Sequence, residues 1–136
     1  MLSLVGKPYI SYQQKGDMTM RRSFNAEFVK IKKQIVSTYC VITELQDNLS
    51  KVTEKQKKDF NAAMAHLKAK MDAIHEEIFQ MKEEELETLK TISKGIRGFG
   101  VARRIQKLNG LDEDLDTCYL EYDHLVGEFN KKEWGN

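Results

Sequence analysis

Hydrophobic residues recur at steps of three and four in three separate stretches of the chain. Because an α-helix turns once in about 3.6 residues, this spacing gathers the apolar side chains of each stretch into one stripe along a helix. Such a stripe has to be covered by another helix, so the pattern predicts a helical bundle. The three core stripes comprise Phe24, Phe28, Ile31, Ile35, Ile42, Leu45 and Leu49; Phe60, Met64, Leu67, Met71, Ile74, Ile78 and Met81; and Leu111, Leu115, Cys118, Tyr122, Leu125 and Phe129.

The predicted fold class is all-α: an antiparallel up-down bundle of three long helices plus a short fourth, with coiled-coil-like packing and one unusually long helix. Helices are expected over about 23–49, 53–94, 101–109 and 112–132, within a single bundle domain spanning about 22–133. Residues 1–21 show no helical period and predict an irregular N-terminal arm. The arm is rich in apolar residues, so we expect part of it to dock on another surface.

Short polar motifs mark where the first two helices begin. Ser23 precedes the first stripe and suits an N-cap, since its hydroxyl can accept a hydrogen bond from a free backbone amide of the first turn. Thr53 followed by Gln56 forms a capping-box signature at the start of the second helix. That helix is expected to run for some 40 residues, roughly 60 Å at 1.5 Å per residue, and so to extend beyond the first.

Glycines predict two interruptions in the C-terminal half of the chain. Gly95, Gly98 and Gly100 follow Lys94 within six residues, and each destabilises a continuous helix by about 1 kcal/mol relative to alanine. We therefore expect a break or kink in this segment. Asn109 followed by Gly110 suits a C-cap, which would separate the short helix from the last one.

The apolar stripe of the second helix changes phase near its C-terminal end. After Met81 the next expected apolar position is taken by Glu85, and apolar residues reappear at Leu86, Leu89 and Ile92. Such a slip rotates the stripe around the helix, so we expect the two halves of this helix to face different partners.

The first helix carries a second apolar line outside its core stripe. A helix that is apolar on two sides is usually flanked on two sides, so we expect this helix to be the most buried element. The second line consists of Val29, Val36, Cys40 and Val41.

Charge, cysteine content and the length of apolar runs argue against several classes of protein. A formal net charge of +1 gives no overall attraction to nucleic acid or to an anionic membrane. Two cysteines, Cys40 and Cys118, are too few for a disulfide scaffold and suit reduced thiols, although a bond between them stays open. No apolar run approaches the ~20 residues of a membrane span, and the first residues are too short for a signal-peptide core. The sequence therefore predicts an intracellular, cytoplasmic protein.

Two acid-x-x-His pairs are the strongest candidates for a metal site, because residues three apart on a helix project to the same side. They are Asp72 with His75 and Glu121 with His124. Their helical phase places them beside or behind the core stripes, where they are expected to face solvent. Neither cysteine and no serine can be paired with a histidine as an activated nucleophile. We expect no enzyme activity, no metal site and no cofactor.

A basic segment follows the second helix, with no acidic residue between Glu87 and Asp112. It could contact an anionic surface, or it could be a solvated face that balances the neighbouring acidic runs. We favour the solvated face, because runs of charge usually face water. The candidate residues for an anionic surface are Lys94, Arg97, Arg103, Arg104 and Lys107.

The favoured function is that of a non-enzymatic helical-bundle module for protein–protein interaction or self-assembly, in an adaptor, scaffold or structural role. The expected partner is another protein or a second copy of the chain, in a homo-oligomer. The candidate partner-binding residues are Leu86, Leu89, Ile92 and Phe99.

A membrane-associated or membrane-acting bundle is the alternative function, with the glycine-containing basic segment 94–107 lying on anionic lipid. Nucleic-acid binding is not expected, because the chain has neither a strongly basic arm nor an aromatic platform for bases.

Overall fold

Three long helices pack together in this computed structural model, which describes residues 23–92 and 96–134; no strand occurs within these ranges. Two single turns of 3-10 helix, Leu49–Lys51 and Glu54–Gln56, connect the first helix to the second. The predicted all-α class is confirmed, whereas the arm predicted for residues 1–21 lies outside the described residues. The helices are α1 (Phe24–Asn48), α2 (Lys57–Thr91) and α3 (Ile96–Lys131).

Both predicted N-terminal helix caps are present. The Ser23 hydroxyl accepts a hydrogen bond from the backbone amide of Ala26 at 3.1 Å, which satisfies one of the free amides at the start of α1. The backbone amide of Thr53 donates to the side-chain oxygen of Gln56 at 3.0 Å, as expected of a capping box. The α-helical geometry of α2 begins directly after this turn, at Lys57.

A separate short helix over residues 101–109 is not found, because α3 continues through Asn109 and Gly110. Leu108 and Leu111 are both fully buried on the two sides of this glycine. They lie three residues apart on one face of the continuous helix, and the gain from burying both outweighs the cost of about 1 kcal/mol for a glycine within a helix. The prediction of a C-cap at this position is therefore wrong.

The interruption between α2 and α3 is shorter than predicted. Helix α2 ends at Thr91 and α3 begins at Ile96, so Gly98 and Gly100 lie inside α3. Val101, which follows these glycines, is fully buried against the bundle. Packing of the first turns of α3 therefore keeps the glycines helical.

The core is formed by the stripes predicted from the sequence. The central cluster takes isoleucines from α1, leucine, methionine and isoleucine from α2, and leucines with one cysteine from α3. A second cluster closes the end near the α1–α2 turn. The central cluster contains Ile31, Ile35, Ile42, Leu67, Met71, Ile74, Ile78, Leu108, Leu111, Leu115 and Cys118, and the end cluster contains Leu49, Phe60, Met64, Leu125 and Phe129.

Contacts between α2 and α3 join the start of one helix to the end of the other. Phe60 at the start of α2 stacks on Phe129 near the end of α3, with ring centroids 5.6 Å apart. Further along α2, Lys82 forms an ion pair with Asp112. Residue numbers thus rise along α2 as they fall along α3.

Contacts between α1 and α3 join the start of α1 to the N-terminal part of α3, and the end of α1 to a later part of α3. The Arg104 guanidinium lies over the Phe24 ring, 5.9 Å from its centroid, at the start of α1. Near the end of α1, the Gln46 side chain donates to the Glu121 carboxylate at 3.1 Å. Residue numbers here rise together along both helices.

Helix α1 is not flanked on two sides by the described part of the chain. Four of its residues are buried, against seven in α2. Val29, Val36 and Val41 are exposed, as is Cys40. In a three-helix bundle each helix faces the other two across one shared core, so its far side stays uncovered. The prediction that α1 is the most buried element is wrong.

Two leucines of α3 provide a matched test of the core. Leu125 is fully buried, whereas Leu120 is 69% exposed in the same helix. We expect Leu125→Ala to lower the free energy of unfolding by about 2–5 kcal/mol, because it leaves a cavity. Leu120→Ala should change it by less than about 0.5 kcal/mol. Urea denaturation followed by circular dichroism measures both, and equal effects would contradict the burial assigned to Leu125.

Candidate functional site

The core stripe of α2 continues past Met81 without changing phase. Glu85 occupies the next core position, where its side chain is 12% exposed. Its carboxylate accepts a hydrogen bond from Nε of Arg104 in α3 at 2.8 Å. A carboxylate can stay in this position because a charged donor from the facing helix satisfies it. The predicted rotation of the stripe is therefore wrong.

Because Glu85 faces the core, the next apolar residues of α2 lie on its outer side. Leu86 is 42% exposed and Leu89 is 39% exposed, and Ile92 is partly buried at the end of the helix. Phe79, seven residues before Leu86, lies on the same side of α2 and is also exposed. We call Phe79, Leu86 and Leu89 the α2 end patch. Phe79 is not among the residues predicted from the sequence, although its spacing of seven residues from Leu86 indicates the same side of a helix.

The α2 end patch borders the groove between α2 and α3. Lys82 lies between Phe79 and Leu86 on the helix surface, with steps of three and four residues. Its ammonium group contacts Asn109 of α3 at 3.2 Å and pairs with Asp112. The patch therefore lies on α2 next to a polar contact that joins α2 to α3.

Phe99 does not belong to the α2 end patch. It is 74% exposed and precedes the buried Val101 by two residues, which places it on the far side of α3 from the core. Arg103, four residues further on, is exposed on the same outer side. The predicted partner-binding residues therefore divide between two surfaces.

The predicted basic residues are likewise not gathered into one site. Arg104 is bound to Glu85 and lies over Phe24, and the Lys107 ammonium lies 5.5 Å from the ring centroid of Phe28. These two cations therefore make contacts within the bundle, while Arg103 is exposed. Lys94 and the side chain of Arg97 lie outside the described residues.

An exposed apolar line runs along the side of α1 that faces away from the core. Val29 and Val36 are 47% and 56% exposed, and Cys40 follows Val36 by one turn. Tyr39 and Val41 are exposed on either side of this line. We call these residues the outer face of α1. All of them except Tyr39 were predicted as a second apolar line, which was expected to be covered by a neighbouring element.

Charged side chains are arranged in two groups around the outer face of α1. Exposed lysines surround its N-terminal half, and exposed carboxylates surround its C-terminal half. The lysines are Lys30, Lys32 and Lys33, and the carboxylates are Glu44 and Asp47.

The titratable groups with shifted pKa values are engaged in packing. The Tyr119 hydroxyl donates to the Asp72 carboxylate at 2.6 Å, and this hydrogen bond lowers the pKa of Asp72. Burial, with a smaller contribution from the same bond, raises the pKa of Tyr119. Burial also raises the pKa of the Cys118 thiol, which makes it a weaker nucleophile at neutral pH. Cys40 and Cys118 are both free thiols, so they are not bonded to each other.

The acid-x-x-His pairs are not gathered into a metal site. Asp72 is bound to Tyr119, and Glu121 accepts a hydrogen bond from Gln46 of α1. Among the described residues, no group of three or more His, Cys, Asp or Glu side chains is arranged to hold a metal ion.

Comparison with known proteins gives no relative: no family model matches the chain, and no curated protein or solved structure is significantly similar to it. Among the helices of residues 23–92 and 96–134, none combines the length and the apolar character needed to cross a membrane. The features from which function can be argued are the α2 end patch, the outer face of α1, and Phe99 with Arg103.

A double-mutant cycle tests the pairing of Glu85 with Arg104. We expect Glu85→Ala, Arg104→Ala and the double variant to give a coupling energy of about 1–3 kcal/mol, since each single change leaves a charge partly buried. Urea denaturation of the four proteins measures this energy.

The control cycle uses Glu87 and Lys90, an ion pair of α2 with both side chains more than 70% exposed. Solvent screens this pair, so its coupling energy should be close to zero. Equal coupling energies in the two cycles would show that Glu85 has no special role in the core.

Proposed function

We propose that the chain is a non-enzymatic helical-bundle module that binds other proteins or further copies of itself, in an adaptor, scaffold or structural role. The observation that carries this proposal is the presence of large exposed apolar side chains at helical spacing on two helices. Apolar residues grouped on a surface mark interaction sites more often than singly exposed ones do. The two groups are the α2 end patch and the outer face of α1.

An antiparallel up-down course of the three helices is part of the same proposal. Two observations support it. In the contacts between α2 and α3, residue numbers rise along one helix as they fall along the other, whereas in the contacts between α1 and α3 they rise together. In such a bundle each helix presents a continuous outer face. A second helix can dock there through the same spacing of three, four and seven residues that forms the core.

The α2 end patch suits an amphipathic helix. Its apolar members are separated by seven and three residues, as along one side of a helix. Glu83, Glu87 and Lys90 are exposed on α2 beside it, and Glu87 is paired with Lys90, so the charges around it are mixed. A partner helix with apolar residues at matching spacing would complement the shape of this surface.

Size-exclusion chromatography with light scattering tests the proposed self-assembly. We expect the wild-type mass to rise above the monomer value of 15.8 kDa as the concentration increases from low micromolar to near millimolar. A variant with Val36→Gln, Leu86→Gln and Leu89→Gln should stay monomeric, because both apolar groups lose their central residues.

Leu120→Gln is the control, since Leu120 is exposed and belongs to neither group. Its mass should follow that of the wild type. A wild-type mass equal to the monomer at every concentration would contradict self-assembly and leave only binding to other proteins.

A membrane-associated bundle is the alternative proposal. It is supported by Phe99, the most exposed of the large apolar residues in the described part of the chain, and by Arg103 one turn further along the same side of α3. An aromatic ring beside a cation suits the interface of an anionic membrane, where the ring enters the headgroup region and the cation contacts phosphate.

Co-sedimentation with vesicles tests this alternative. If it holds, the wild type pellets with vesicles containing phosphatidylserine but not with vesicles of phosphatidylcholine. Phe99→Ala and Arg103→Glu should each reduce pelleting, because they remove the apolar and the electrostatic contribution respectively. Leu120→Ala is the matched control and should pellet as the wild type does. Equal recovery with both kinds of vesicle would rule the alternative out.

A further inference from the structure

The outer face of α1 carries charges of opposite sign at its two ends. Lys30, Lys32 and Lys33 are exposed around its N-terminal half, and Glu44 and Asp47 around its C-terminal half. The apolar line of Val29, Val36 and Cys40 runs between them. A surface with this arrangement is complementary to a copy of itself turned end for end.

The spacing of these residues allows the two charged groups to meet. If Val36 of one α1 lies opposite Cys40 of a second, antiparallel α1, the two-fold axis passes near residue 38. Lys33 of each copy then lies beside Glu44 of the other, because both are on the same flank of the apolar line and their distances from the axis differ by only one residue. Residues 29 and 47 lie opposite each other by the same count, which places Asp47 near Lys30 and Lys33.

A parallel pairing would have the opposite electrostatic result. The lysines of one copy would face the lysines of the other, and the carboxylates would face each other as well. Like charges across an interface are unfavourable, so the charges of α1 select the antiparallel orientation.

We propose that the outer face of α1 binds a second copy of this chain, with the two α1 helices packed antiparallel about a two-fold axis near residue 38. This inference deepens the proposed function and rests on it, because it names the partner and the surface used for self-assembly. The interface is isologous: each residue contacts a residue in the partner, and the reciprocal contact is made on the other side of the axis.

The expected dimer is weak and concentration-dependent. The contact from Val29 to Asp47 spans 18 residue steps, about 27 Å of helix. A single helix pair of this length buries less than the roughly 800 Å² per partner of a standard stable interface. Tyr39 and Val41, exposed on the flanks of the line, extend its apolar area. The charges mainly set the orientation and the rate of association.

Two charge-reversal variants test the proposal. Lys30→Glu with Lys33→Glu makes the outer face largely negative at both ends, and Glu44→Lys with Asp47→Lys makes it positive at both ends. Each variant on its own should lose the dimer and give a mass near 15.8 kDa by light scattering. An equimolar mixture of the two should recover a dimer, because each end now meets the opposite charge.

A variant with all four changes tests the orientation. Its N-terminal half is negative and its C-terminal half is positive, so an antiparallel pair is again complementary and the homodimer should return. Circular dichroism checks that every variant is folded, which the exposure of all four side chains leads us to expect. Val36→Gln should abolish the dimer of the wild type and of the four-change variant.

Cys40 gives a second measurement on the wild-type protein. In the dimer its thiol lies against Val36 of the second copy, so its reaction with a thiol reagent should slow as protein concentration rises. The charge-reversal variants should show no such dependence.

If the wild type assembles and both charge-reversal variants have the same mass as the wild type, this inference is overturned. The proposed self-assembly would then use another surface. A wild-type protein that stays monomeric at every concentration would overturn both. Loss of the dimer without recovery in the mixture or in the four-change variant would reject the antiparallel pairing.

Discussion

Burial of one apolar stripe per helix is the interaction on which the rest of this structure depends. Ile42, Met71 and Leu115, one from each helix, are essentially fully buried in a single shared core. The gain from removing such side chains from water holds the helices together and keeps α3 continuous across Gly110. Because a shared core covers only one side of each helix, the other sides stay exposed and are available to partners.

The contact between Glu85 and Arg104 affects two candidate surfaces, the α2 end patch and the predicted basic segment. It keeps the core stripe of α2 in phase at a position where an apolar side chain is missing, and so directs Leu86 and Leu89 outward. The same contact removes Arg104 from the basic segment, since a guanidinium bound to a buried carboxylate is less available to an anionic surface. A single polar pair therefore strengthens the case for the α2 end patch and weakens the case for lipid binding.

Features that depend on neighbouring residues were predictable from the sequence, and features that depend on a facing helix were not. The caps at Ser23 and Thr53 were predicted because their partners lie three residues away. The exposure of Leu86 was predicted from a phase slip that does not occur, because the sequence does not show that Arg104 satisfies Glu85. Similarly, the apolar line on the outer face of α1 was predictable from its spacing. Its exposure was not, because it depends on how the three helices pack in the described part of the chain.

The two apolar surfaces can act together because they lie on different helices. The outer face of α1 points away from the shared core, whereas the α2 end patch borders the groove between α2 and α3, where Lys82 contacts Asp112. A second copy docked along α1 would therefore leave the α2 end patch of each copy open. A two-fold dimer would then present two such patches, and a partner with two matching helices would bind more tightly to the dimer than to the monomer. Self-association through α1 would in this way strengthen the binding of such a partner through α2.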